Sequence, residues 1–97
     1  MKLRWTRQAF ADRDGIIDHI AKDNVDAAFA IDDKIAAAVD GLLIFPLIGR
    51  IGRVENTREL IVAQSNYIVA YKYAKDDDEI AVLRVLHGAQ NWPDVFE

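Results

Sequence analysis

The sequence predicts an α+β domain of element order β-α-α-β-β-β, with a helical hairpin packed on one face of a mostly antiparallel sheet. Three observations predict it. Apolar side chains recur three and four apart through the first half of the chain, up to Pro46. Three β-rich runs then follow at residues 58–64, 67–73 and 79–87. The breaks between those runs, Ser65-Asn66 and residues 75–78, are far too short for crossovers, so the three strands pair antiparallel.

Leu3-Arg4-Trp5 is a short strand-like entry. Thr6 offers a hydroxyl cap for a helix starting at Arg7. Phe10, Ile17, Ile20 and Ala21 recur at helical spacing, flanked by Arg13 and Ile16, while Asp12, Asp14, Asp18 and Lys22 take much of the remaining circumference. Gly15 sits inside this helix at a cost of about 1 kcal/mol. Asp23-Asn24 breaks the pattern, and Asn24 caps a second helix. There Ala28, Ile31, Ile35, Ala38 and Leu42 form one apolar stripe, with Asp26, Asp32, Asp33, Lys34 and Asp40 mostly elsewhere. The helix is expected to end before Pro46, whose predecessor is pushed out of helical geometry. The short break between the helices makes them an antiparallel hairpin. IGRIGRVEN, residues 48–56, has two glycines, two arginines and no helical face, and reads as a loop. The final run, EIAVLRVLH, is apolar on both faces, as a central strand is.

Composition bounds the function. Ninety-seven residues are expected to form one domain, 1–97. With no cysteine, thiolate chemistry and disulfides are excluded, and His19 and His87 alone do not make a zinc site. No metal or cofactor is implied. The longest apolar run, GLLIFPLIG, is nine residues against the ~20 that span a bilayer. The N-terminus has no apolar stretch behind its positive charges, so it is no secretory signal, and the cytoplasm is the expected location. A net charge of −4 argues against general nucleic-acid binding, which draws on a basic face.

Several residues are candidates for function. Arg84 and His87 lie where the last apolar strand runs out. A histidine there can act as a general acid or base. Strand alternation puts positions 84 and 87 on opposite faces, and the bland alternatives are a packed Arg84 whose head reaches a carboxylate such as Glu59 or a carbonyl, and a strand-closing role for His87. Tyr67, Tyr71 and Tyr73 share one strand face and read as core and rim. Trp92 either covers an edge or faces a partner, since tryptophan is enriched at interface hot spots. Arg50 and Arg53 occupy a glycine-bearing loop, where arginines are exposed and able to grip carboxylates in bidentate fashion.

The combination of Gly49-Arg50, Gly52-Arg53, Thr57-Arg58-Glu59-Leu60, Tyr67-Ile68-Val69-Ala70-Tyr71 and Arg84-Val85-Leu86-His87-Gly88 resembles the RelE/ParE superfamily of toxins from bacterial type II toxin–antitoxin systems. The likeness covers nearly the whole chain. It implies a cytoplasmic toxin of the plasmid-stabilisation type, masked by a ParD- or RelB-like antitoxin in a heterotetramer or larger complex. RelE-like members cleave messenger RNA on the ribosome, whereas ParE-like members poison DNA gyrase.

Chemistry distinguishes the branches. Cleavage by a 2′-hydroxyl needs a base, an acid and cations for the developing charge. By the resemblance, RelE-like nucleases without a histidine place lysines on the second strand, an arginine after the aromatic of the third, and a basic and aromatic C-terminus. Here Glu59 and Ile61 stand at the lysine positions, Ile68 follows Tyr67, and the tail offers Gln90, Asn91 and Phe96. The ParE-like branch is therefore favoured. No catalytic residue is favoured; a nuclease would use Arg84 and His87. Arg50, Arg53, Arg58 and Trp92 are the candidate partner-binding residues. The alternatives kept open are a RelE-like endoribonuclease and a non-toxic, antitoxin-binding remnant.

Overall fold

The computed structural model describes residues 1–88. Its elements are β1 (Lys2–Trp5), α1 (Arg7–Ala21), α2 (Val25–Gly41), β2 (Arg50–Ile51), β3 (Arg58–Ile61), β4 (Tyr67–Ala74) and β5 (Glu79–His87). They form two helices on a five-stranded sheet of order β1-β5-β4-β3-β2, antiparallel except for the β1–β5 pair. The order matches the predicted one, with one addition. Arg50–Ile51, expected to be loop, pairs with β3 as a two-residue edge strand. At the other end of β3 the strand stops at Ile61, short of the expected Gln64. Gln64 takes a left-handed φ of 58° in the turn, a conformation that ends a ladder.

Both predicted caps form. Thr6 Oγ1 accepts from the Ala9 amide at 3.1 Å, and Asn24 Oδ1 accepts from Ala27 at 3.0 Å. Each satisfies one of the orphan donors of a helix start. The α2 stripe buries Ala28, Ile35, Val39 and Leu42, with Ile31 and Ala38 packed beside them. It meets the helix-side residues of the sheet: Val62, Val69, Val82 and Val85 in one cluster, and Tyr71 and Ile80 with Leu42 in another.

The inner face of α1 differs from the expected one. Fully buried Ala9 and partly buried Ile16 join the core, whereas Phe10 is 52% exposed and stacks on Trp5 with ring centroids 5.6 Å apart. A small residue at position 9 lets α1 lie close against β5, and this turns the larger side chain at position 10 about 100° away from the sheet. On the far side of the sheet Ala70 and Leu86 are buried, with Val54 and Leu83 packed against them.

Two irregularities shape β5 and its contact with α1. The β4–β5 ladder pairs Ala70 with Arg84 and then Tyr71 with Val82, so Leu83 is an extra residue and β5 bulges there. In addition, β1 ends at its Trp5–Val82 pairing, and among the described residues no strand borders the rest of β5 on that side. The start of α1 covers this bare edge. The Thr6 amide donates to Val82 O, Thr6 Oγ1 donates to Leu83 O, and Asp12 Oδ2 accepts from Val85 N at 2.9 Å. An uncovered edge would offer those groups to other chains. Among the described residues no helix is long and apolar enough to cross a membrane.

Candidate partner-binding site

The site is built around Glu59. Alternation on β3 places Glu59 opposite Ala70 on one side and Arg50 on the other. Its side chain is 1% exposed, and a carboxylate so far from water requires several donors. It has them. Oε1 accepts from Arg50 Nη2 at 3.1 Å, and Oε2 accepts from the Arg53 backbone amide at 2.9 Å and from Arg53 Nε at 3.1 Å. The sequence predicts Arg50 and Arg53 as exposed loop residues. Both are exposed, with side chains at 56% and 39%, and both are held by the buried anion, Arg50 from within β2 rather than a loop. The chain can turn sharply enough to bring Arg53 back because Gly52 has no side chain; a Cβ there would collide with Thr57 Oγ1.

Arg58 supports the same edge from behind. Its Nη1 donates to the carbonyls of Gly49 at 2.8 Å and Leu47 at 3.3 Å. Tyr71, fully buried, donates its hydroxyl to Pro46 O at 2.8 Å and accepts from Gly49 N at 2.9 Å. A Cβ on Gly49 would lie 2.7 Å from the Tyr71 ring, so only glycine lets the backbone approach the phenol. Burial pushes the Tyr71 phenol above its ordinary value of 10.0, opposed by the Gly49 hydrogen bond and the Arg58 charge. These contacts fix the loop ahead of β2; the loop presents Ile44, Phe45, Leu47 and Ile48, and β2 presents Ile51, to solvent at 59–75% exposure. Leu47 and Ile51 share a surface hollow with Arg58 and Tyr73. Sequence reasoning missed this apolar ledge as a site, although GLLIFPLIG, nine uncharged residues, was its signal.

Arg84 reaches a carboxylate, as the sequence suggested, and that carboxylate is Asp12 of α1. The pair is bidentate, with Nε to Oδ2 at 2.6 Å and Nη2 to Oδ1 at 2.9 Å. Their side chains are 5% and 12% exposed. The same Asp12 satisfies Val85 on the bare edge of β5, so the pair ties α1 to the sheet.

His87 is placed elsewhere. Its register partner is Tyr67, and the two rings meet edge to face at 5.8 Å. Tyr67 packs with the helix-side core, whereas Ala70, opposite Arg84, belongs to the cluster on the other face. Arg84 and His87 therefore do not converge. His87 does line a cleft of about 310 Å³ with Arg50, Ile61, Ser65, Asn66, Tyr67, Ile68 and Gly88. His19 is exposed in the last turn of α1. Trp92, with Gln90, Asn91 and Phe96, lies outside the described residues. No group of three His, Cys, Asp or Glu side chains among the described residues is placed to hold a metal.

The arrangement presents two half-exposed guanidinium groups, already oriented, beside an apolar ledge. Its chemistry suits carboxylates and apolar side chains of another polypeptide, since preorganised arginine forks bind planar anions at low entropic cost.

Comparison with known proteins agrees with this architecture. Residues 3–92 match the family model described as the ParE toxin of the type II toxin-antitoxin system parDE. A protein of Sinorhizobium fredii (strain NBRC 101917 / NGR234), named "Putative toxin Y4kP", is 40% identical over 95 residues, covering 98% of this chain and 96% of that one. Among solved structures, a chain of the chromosomal ParDE TA system from P. aeruginosa superposes with a TM-score of 0.78 at 28% identity, over 90% of this chain and 95% of that one.

Proposed function

This chain belongs to the ParE toxin family of type II toxin–antitoxin systems, and we propose that it inhibits DNA gyrase by protein–protein contact and is neutralised by a cognate ParD-like antitoxin. The observation that carries this reading is Glu59. It stands where the superfamily resemblance would place a cation for RNA cleavage, and it is a buried anion that already engages Arg50 and Arg53. An anion there opposes the binding of a scissile phosphate. The same two arginines, leaning out beside exposed Ile51 and Leu47, have the composition of a protein interface, in which arginine and large apolar residues dominate. The antitoxin segment folds on binding and covers apolar area on the toxin, in a heterotetramer or larger complex. A supercoiling assay with purified gyrase tests the target. Inhibition at micromolar toxin, reversed by adding the antitoxin, is expected; undiminished supercoiling at that concentration removes gyrase from the proposal.

A second reading is favoured by one observation, the shared cleft of Arg50 and His87. A RelE-like endoribonuclease would use His87 for proton transfer there. Primer extension on transcripts after induction separates the two readings. Cleavage sites that vanish in His87→Ala support the nuclease, and intact transcripts beside arrested growth reject it. Overexpression without any effect on growth would instead identify a non-toxic remnant.

A further inference from the structure

The apolar ledge after α2 is exposed and uncharged. Residues 41–49, GLLIFPLIG, carry no charge, yet Ile44, Phe45, Leu47 and Ile48 stand 59–72% exposed, with Ile51 beside them at 75%. Five such side chains offer on the order of 500 Å² of apolar surface, in the upper range for the largest patch on a typical monomer.

The ledge is held in shape before anything meets it. Turn bonds from Leu43 N to Asp40 O at 3.1 Å, from Phe45 N to Gly41 O at 2.9 Å and from Ile48 N to Phe45 O at 3.2 Å fold the run on itself. The Tyr71 hydroxyl clamps its far end through Pro46 and Gly49. Ile44, Phe45, Pro46, Leu47 and Ile48 wall a hollow of about 370 Å³. The run therefore supplies both protruding side chains and a recess to receive them, as a self-complementary two-fold contact requires. The charges at its two ends fit such a contact. Asp40 precedes the run, exposed in the last turn of α2, and Arg50 follows it, exposed in β2. Asp40 has no ion-pair partner among the described residues. It stands at the carbonyl end of a helix, where a carboxylate is disfavoured and a nearby cation offsets the cost.

We propose that two copies of this chain pair through the ledge about a two-fold axis. The two runs pack antiparallel, so that Asp40 of each copy faces Arg50 of the other. Two facing ledges bury about 1,000 Å² in all, the lower bound for a specific interface, so the dimer is weak and reversible. An anionic membrane is the nearest rival occupant, and a chain of net charge −4 is repelled by it. The pairing depends on neither gyrase nor the antitoxin, so it stands or falls apart from the proposed function of the chain. One corollary does rest on that function. Arg50 belongs to the site proposed to capture a partner, so the dimer is a self-masked form of the toxin.

Sedimentation equilibrium of the full chain tests the pairing. A monomer–dimer equilibrium half-associated at roughly 10–100 μM is expected. Phe45→Ser should weaken it at least about tenfold. Phe29→Ser, which removes a comparably exposed aromatic from α2, should leave it unchanged. Charge reversal reads the geometry through its sign. Asp40→Lys and Asp33→Lys relieve the chain's net negative charge equally, and general repulsion alone would then favour association in both. Asp40→Lys should instead weaken the dimer at least about fivefold, because it sets a lysine against Arg50 of the other copy, and Asp33→Lys should not weaken it. All the substituted side chains are exposed, and urea midpoints confirm that the variants are folded. A chain still monomeric at about 500 μM overturns the proposal. So does a dimer unmoved by Phe45→Ser, equally weakened by Phe29→Ser, or strengthened by Asp40→Lys. Flotation of a monomeric chain with phosphatidylserine vesicles also overturns it and makes the ledge a lipid contact.

Discussion

The molecule contains two carboxylate–guanidinium knots, and they differ in which partner meets water. At Asp12–Arg84 both side chains are nearly dry, at 12% and 5% exposure, and one carboxylate oxygen also serves a strand amide. At Glu59 only the anion is dry, at 1%, while Arg50 and Arg53 extend into solvent at 56% and 39%. The first geometry closes a structural joint between α1 and β5. The second buries the anion and leaves both arginine side chains partly exposed. The same ionic chemistry is sealed from water in one place and open to it in the other, and burial of the cation marks the difference.

Four measurements break or sharpen that contrast. Asp12→Ala takes the carboxylate away from a buried guanidinium and from the Val85 amide, and should cost about 3–5 kcal/mol in urea unfolding. Replacing both partners together, Asp12→Leu with Arg84→Met, should recover most of that loss, as a dry pair need not outperform apolar packing. A single-variant cost near that of a surface pair would erase the distinction. Glu59→Gln should cost less, about 1–3 kcal/mol, because both arginines can turn to water when they lose the charged acceptor, whereas the Arg53 amide cannot.

Tyr71→Phe should lose about 1 kcal/mol at neutral pH through its two hydrogen bonds. It should also alter the alkaline limb. Tyr71 has a folded pKa raised above its ordinary 10.0, so its neutral form stabilises the fold below that value, and the contribution is lost as pH rises through the higher folded pKa. Circular dichroism against pH should show a steeper alkaline loss in the wild type than in Tyr71→Phe. Smallest in stability are Arg50→Ala and Arg53→Ala, about 1 kcal/mol or less each, since these cations are half-exposed and each variant leaves Glu59 the other arginine. Yet each should weaken capture of the antitoxin or gyrase at least about tenfold in a binding titration. A stability loss like that of Asp12→Ala, with binding intact, would make both knots structural.

Periodic features were legible in the sequence. The caps at Thr6 and Asn24, the stripe of α2 and the three long strands each repeat a local pattern over enough residues to be read. The strand β2 was not legible, because a two-residue strand exists only through its partner, and nothing in Arg50-Ile51 differs from a loop. The inner face of α1 was misjudged because Ala9, whose smallness permits close approach, carries a weaker apolar signal than Phe10. Of the site, the arginines were legible as types but not as a structure. Glu59 was noticed as a missing cation and not as the anion that organises Arg50 and Arg53. The Asp12–Arg84 pair joins residues 72 apart, and no spacing rule reaches that far.

The pairing of Lys2 with Glu79 has a consequence for synthesis. The first strand made is the neighbour of the last, so a nascent chain carries β1 unpaired until translation has passed residue 79. Helices and local hairpins can form on the ribosome, but the β1–β5 pairing waits for residues 79–87, and such non-local closure slows folding. A ribosome stalled before β5 thus holds a chain in which β1 lacks its neighbour and Asp12 lacks Arg84.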